Sequence, residues 1–199
     1  MKYPSASSKI MALYEKDQVL RERLLKESKL DEDYHTEMRE LHNQNVIQLK
    51  SLMSRIGFPT ISKVGLEAYE AAFIIIQHGI DHPQFLKNCA ETIKKEAMSN
   101  EASFIHYAYL KDRIDVFENK NQTYGTQFDW DEKGLLSPVA IEDWNQVNVN
   151  RKKIGLNTLD DQIKKMRDQA QLTGQSAPDD FNAKKLKYDA WRIEVGWLK

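Results

Sequence analysis

Between Glu67 and Gln77 runs a segment whose centre, Ala71-Ala72-Phe73-Ile74-Ile75-Ile76, is apolar nearly all round. A helix on the surface of a protein carries an apolar stripe, so one without a polar face belongs among other helices. At six residues the run is far too short to span a bilayer, which takes about 20. This single feature predicts a helical domain built around a buried central helix.

The neighbouring segments supply its surroundings. From Ser8 to about Glu27, Ile10, Leu13, Leu20 and Leu24 fall at helical spacing,. A second helix is predicted over Asp33 to Ile56, with Met38, Leu41, Leu49, Leu52 and Ile56 inward, ended by Gly57-Phe58-Pro59,. Pro83 suits the first turn of another, with Leu86, Cys89, Ile93 and Ala97 inward,. Further helices are expected from Glu101 to about Glu118, Glu142 to Ile154, Thr158 to about Leu172 and from Asp180 onward. Asp161 stands in the capping-box position after Thr158,. The resulting expectation is an all-α single domain over residues 1–199, with six or seven helices. At most one short β-hairpin is expected, pairing Thr123–Phe128 with Leu135–Ile141 across the turn-rich Asp131-Glu132-Lys133-Gly134,.

Bulk properties exclude several functions. A formal charge of −1 gives no reason to expect binding to nucleic acid or acidic membranes,. The one cysteine, Cys89, excludes an intrachain disulfide and argues against a cysteine-based zinc site,. The first ten residues, MKYPSASSKI, lack the apolar core of a signal peptide, so a cytoplasmic protein is expected,.

Polar residues in apolar places mark the candidate site. Asp17 interrupts the first apolar stripe, with Arg21 four residues on, and Arg151 interrupts the stripe of Trp144, Val147 and Ile154. Each is either an ion at the edge of its stripe or part of an inward polar network. His78 closes the most apolar helix. His82 lies four residues on, a metal-clamping interval on a continuous helix, but Gly79 and Pro83 interrupt the register, so no metal and no cofactor are expected,. Asp112 and Arg113 lie on the helix that feeds Gln122-Thr123-Tyr124-Gly125-Thr126-Gln127, a loop of amides and hydroxyls about a glycine.

Taken together, Asp17-Gln18-x-x-Arg21, Gly57-Phe58-Pro59, Gln77-His78, Asp112-Arg113, the Q-x-Y-G-T-Q run at 122–127, Arg151 before Gly155-Leu156, and Trp191 with Gly196-Trp197 resemble a bacterial family catalogued as a domain of unknown function. The resemblance covers nearly the whole chain and rests most on the Q-x-Y-G-T-Q run. It departs just after His78, where Ile80 and His82 stand in a region that is acidic in the family. The resemblance implies that these polar residues belong to one set; it implies no reaction.

Three functions fit these residues. One is a metal-independent acid/base enzyme, a hydrolase or a lyase, acting on a small polar or anionic metabolite. In it His78 is the acid/base, Asp112 or Asp17 orients it, and Tyr124 donates to developing charge. Arg21, Arg113 and Arg151, with Asp17, Gln122 and Gln127, would hold the ligand. The second is a binding or regulatory module using the same pocket without turnover. The third is a buried polar network that fixes the loop at 119–127 and binds nothing. A site predicts that Asp17, Arg21, His78, Asp112, Arg113, Tyr124, Gln127 and Arg151 converge; a structural network predicts mutual pairing.

Overall fold

The structure is a computed structural model that describes residues 1–27, 29 and 35–199. These residues form nine helices and one two-stranded antiparallel hairpin, grouped in two compact units, Met1–Ser103 and Phe104–Lys199. No helix among them is long and apolar enough to cross a membrane.

Unit 1 holds α1 (Pro4–Lys26), α2 (Thr36–Ile56), α3 (Ile61–Val64), α4 (Leu66–His78) and α5 (Pro83–Ala97). The predicted central helix is α4: Ala68, Tyr69, Ala71, Ala72, Phe73, Ile75, Ile76 and Gln77 are all buried on it. Helices α1 and α2 pack against α4 and against each other, and α5 also contacts α4. α1 begins at Pro4, a turn earlier than expected at Ser8, because Pro4 occupies the first helical turn where its missing N–H is not needed,. The expected start of the second helix at Asp33 lies outside the described residues. In α5, Leu86, Cys89, Ile93 and Ala97 are buried as the spacing requires.

The short α3 was not expected. Glu101 accounts for it: its carboxylate accepts from Ser62 N at 2.9 Å and its carbonyl from Ile61 N at 3.0 Å, so two amides at the start of α3 are satisfied from outside,. With Glu101 engaged there, the next helix starts at Phe104 and not at Glu101.

Unit 2 comprises α6 (Phe104–Phe117), β1 (Phe128–Trp130), β2 (Leu136–Pro138), α7 (Trp144–Lys153), α8 (Leu159–Leu172) and α9 (Phe181–Val195). The hairpin pairs Phe128 with Pro138 and Trp130 with Leu136. Its first strand therefore starts where the predicted one ended, since residues 123–127 spend their amides elsewhere. The expected turn is present: Asp131 accepts from Lys133 N and Leu135 N at 3.0 and 2.9 Å. Thr158 caps α8, receiving Asp161 N at 3.2 Å and donating to the Asp161 carboxylate at 2.6 Å. On α9 the fully buried side chain is Arg192, while Phe181, Tyr188, Trp191 and Val195 are half-buried. Arg192 donates to Phe117 O at 3.1 Å and to Asn119 Oδ1 at 2.6 Å, closing the C-terminal end of α6,.

Candidate functional site

The sequence-predicted residues fall into two sets, one within each unit. The set in unit 2 is centred on Asp112. Its carboxylate is fully buried on α6 and accepts from Thr123 N at 2.9 Å, Tyr124 N at 3.1 Å, Thr126 N at 3.0 Å and Thr126 Oγ1 at 3.0 Å. Burial pushes the Asp112 carboxyl up, opposed by the hydrogen bonds from Thr126, Tyr124 and Thr123,.

The loop's carbonyls are taken from the opposite side. Arg151, 2% exposed, donates from Nη1 to Tyr124 O at 2.8 Å and Gly125 O at 3.2 Å, and from Nε to Asn157 O at 2.6 Å. Asn150 Nδ2 donates to Thr123 O at 3.1 Å. Gln122 is buried and accepts from Gln127 N at 2.7 Å, while its amide nitrogen donates to Gln127 O at 3.0 Å and to Val139 O. Gln127 in turn donates to Tyr109 O at 3.3 Å and Thr126 Oγ1 at 3.0 Å. The backbone of 122–127 is thus held by a carboxylate on one side and a guanidinium on the other.

This pattern matches the paired network expected of a structural role. Gly125 enables it, with φ +61° and a position where a Cβ would come within 2.9 Å of Leu159 Cδ1,. Tyr124 contributes through its backbone; its phenol is half-buried, and burial pushes its pKa up. Arg113 is half-buried, and burial pulls its guanidinium down while the Tyr188 phenol opposes the shift.

The set in unit 1 has a different character. Asp17, with no exposed surface, projects from α1 into the space between α2 and α4. Its Oδ2 lies 2.8 Å from His78 Nδ1 at the end of α4 and 2.9 Å from His42 Nε2 on α2. The two imidazole rings are 4.5 Å apart between centroids and tilted by 32°. Gln18 Nε2 donates to the other oxygen, Asp17 Oδ1, at 3.0 Å. Burial alone pushes the Asp17 carboxyl up, but hydrogen bonds and charge from His42 and His78 outweigh it and hold the group below the usual carboxylate range,.

Exposure is graded across this cluster. The Asp17 side chain is 0% exposed, His42 8% and His78 28%, so His78 is the member that solvent reaches. The turn that follows is tied back to α2, where Arg39 Nε and Asn43 Nδ2 donate to Asp81 Oδ2 at 2.6 and 3.1 Å. His78 is thereby held at both ends, by Asp17 on its ring and by Asp81 on its backbone turn.

One expectation changes here. Arg21 is exposed on α1 and is not the partner of Asp17, because one helical turn along a stripe edge carries the longer side chain out to water,. His82 stands at the N-cap position of α5, and the histidine that joins His78 at Asp17 is His42. Sequence reading missed His42, although a signal existed. Met38, His42, Asn45, Leu49 and Leu52 repeat at four, three, four and three residues, and all five are buried. A histidine and an asparagine interrupt that stripe just as Asp17 interrupts the first.

The chain belongs to a family of unknown function, DUF6624, whose model matches residues 4–174. No curated protein matches it, and no solved structure does.

Proposed function

We propose that this DUF6624 member is an enzyme whose acid/base centre is the Asp17–His42–His78 cluster, acting on a small polar or anionic metabolite as a hydrolase or a lyase. One observation carries this reading: a fully buried carboxylate holds the Nδ1 of a partly exposed histidine at 2.8 Å. An ionised Asp17 accepts a proton and cannot donate one, so His78 carries its hydrogen on Nδ1 and presents Nε2 as the base. When Nε2 takes a proton, the imidazolium forms beside a carboxylate and is stabilised by it. This orienting role, expected of Asp112 or Asp17, falls to Asp17. His42 Nε2 lies 2.9 Å from the same oxygen, its ring beside that of His78. The chemistry uses no metal.

With Asp17 ionised and His78 neutral, the cluster that acts as the base carries no net positive charge, so neutral polar substrates are tested beside anionic ones. A positioned general base contributes about 10²–10⁴-fold in rate. The test is a panel of esters, phosphoesters, amides and β-elimination substrates turned over by the purified protein and by His78→Gln. The reading expects turnover of at least one class, lost by about 10²–10⁴-fold in a variant that melts with the wild type. Turnover that survives in His78→Gln, or no turnover of any class, overturns it.

A further inference from the structure

We propose that Asp17, His42 and His78 also form a binding site for a divalent transition metal of the zinc or nickel type. Asp17 Oδ2, His42 Nε2 and His78 Nδ1 come from three different helices and lie within 4.8 Å of one another. Two nitrogens and a carboxylate oxygen are the donors that zinc, nickel and iron(II) select, whereas magnesium and calcium favour oxygen alone. The oxygen-to-nitrogen separations are 2.8 and 2.9 Å. Ligands about 2.0–2.1 Å from a shared metal are separated by roughly 2.9 Å at right angles and about 3.4 Å at tetrahedral angles. Two edges of a three-ligand face are thus already close to that spacing, and the two nitrogens lie within 4.8 Å of each other.

The supports of the site favour the same conclusion. All three ligands stand on helices that pack through the core of unit 1, so no loop has to order when a cation enters,. Gln18 Nε2 holds Asp17 Oδ1 and leaves Oδ2 as the oxygen directed at both histidines, the outer partner that oriented metal-ligating carboxylates have,. His78, 28% exposed, is the ligand of the three that solvent reaches, and a three-ligand site leaves a coordination position for exchange,.

The inference uses the same cluster as the acid/base centre but does not depend on it. It has a consequence for that centre. A metal on His78 Nδ1 requires the ring hydrogen to sit on Nε2, so the metal-bound form has lost the base, and uptake is antagonistic to proton-transfer activity.

The experiment is calorimetric titration of the chelator-treated full chain with zinc chloride and nickel chloride. The expected result is one saturable site, weakened at least 100-fold in His42→Ala and in Asp17→Asn, with no saturation by magnesium chloride. Imidazole nitrogen chemical shifts of the wild-type protein under the same titration provide the second measurement, which needs no variant to fold. Shifts confined to His42 and His78 support the site; shifts at His35, His82 or His106 instead, or no saturable binding, overturn it. Neither the calorimetric nor the chemical-shift measurement requires substrate, so failure here leaves the acid/base centre to be judged on its own turnover test.

Discussion

His78 Nδ1 lies 2.8 Å from Asp17 Oδ2, across 61 residues of chain. The contact joins two helices through a carboxylate that breaks the apolar stripe of α1 and a histidine that ends the most buried helix, α4. Neither position is suited to its residue alone. An ionised carboxylate without a partner is costly in a core, and two imidazoles offset that penalty here.

Asp17→Asn is expected to destabilise unit 1 by about 1–3 kcal/mol, the penalty for leaving buried polar groups imperfectly paired. The change keeps the size of the side chain, so packing contributes little to the loss. Urea denaturation followed by circular dichroism measures it; an unchanged midpoint would show that the histidines do not depend on the carboxylate.

The loop at 122–127 should behave as a structural element. Asp112→Asn removes the charge that the amides of Thr123, Tyr124 and Thr126 converge on. Hydrogen exchange at those three amides should accelerate by at least tenfold, with α8 protection retained. Uniform protection across the loop in the variant would mean that Arg151 alone holds it.

Gly125→Ala is predicted to cost about 1–3 kcal/mol. The backbone sits at φ +61°, and the added methyl meets Leu159 Cδ1 at 2.9 Å and Val147 Cγ1 at 3.2 Å. Chemical denaturation gives the value, and a neutral result would show that α7 and α8 can move apart.

Much of this architecture was legible in the sequence. The run Ala71–Ile76 marked the buried helix, and Leu86, Cys89, Ile93 and Ala97 marked the inner face of α5. Asp17 and Arg151 betrayed themselves by occupying apolar places, and both are buried. Helical phase tells which way a side chain faces but not what it faces, so the partners of Asp17 were illegible. Arg21, its neighbour by spacing, was the nearest guess. His42 escaped because the inward face of the second helix was traced through Leu41 to Leu49, passing over His42 and Asn45, which carry the buried stripe between them. The hairpin is displaced because residues 123–127 have the composition of a strand, yet the amides of Thr123, Tyr124 and Thr126 go to Asp112 and that of Gln127 to Gln122.

Stability should depend on His106. Burial pulls its pKa from 6.5 to about 4. Between those values the unfolded chain binds a proton that the folded chain does not, so stability is fully present above pH 6.5 and falls as the pH drops towards 4,. The loss should reach roughly 1–3 kcal/mol, reduced from the full shift because the ring is partly exposed. His106→Phe should reduce this slope in urea titrations from pH 7 to 4, leaving the part contributed by His82, which burial also pulls down; an unaltered slope would assign it elsewhere.

The tautomer of His78 tests the account most directly. A long-range proton–nitrogen correlation spectrum of the metal-free protein, above the pKa of the ring, distinguishes a hydrogen on Nδ1 from one on Nε2. The account predicts Nδ1–H for His78 in the wild type, with the preference lost in Asp17→Asn. A wild-type His78 that carries its hydrogen on Nε2 would contradict it, because Asp17 would then not be holding the ring in the form that an acid/base centre requires.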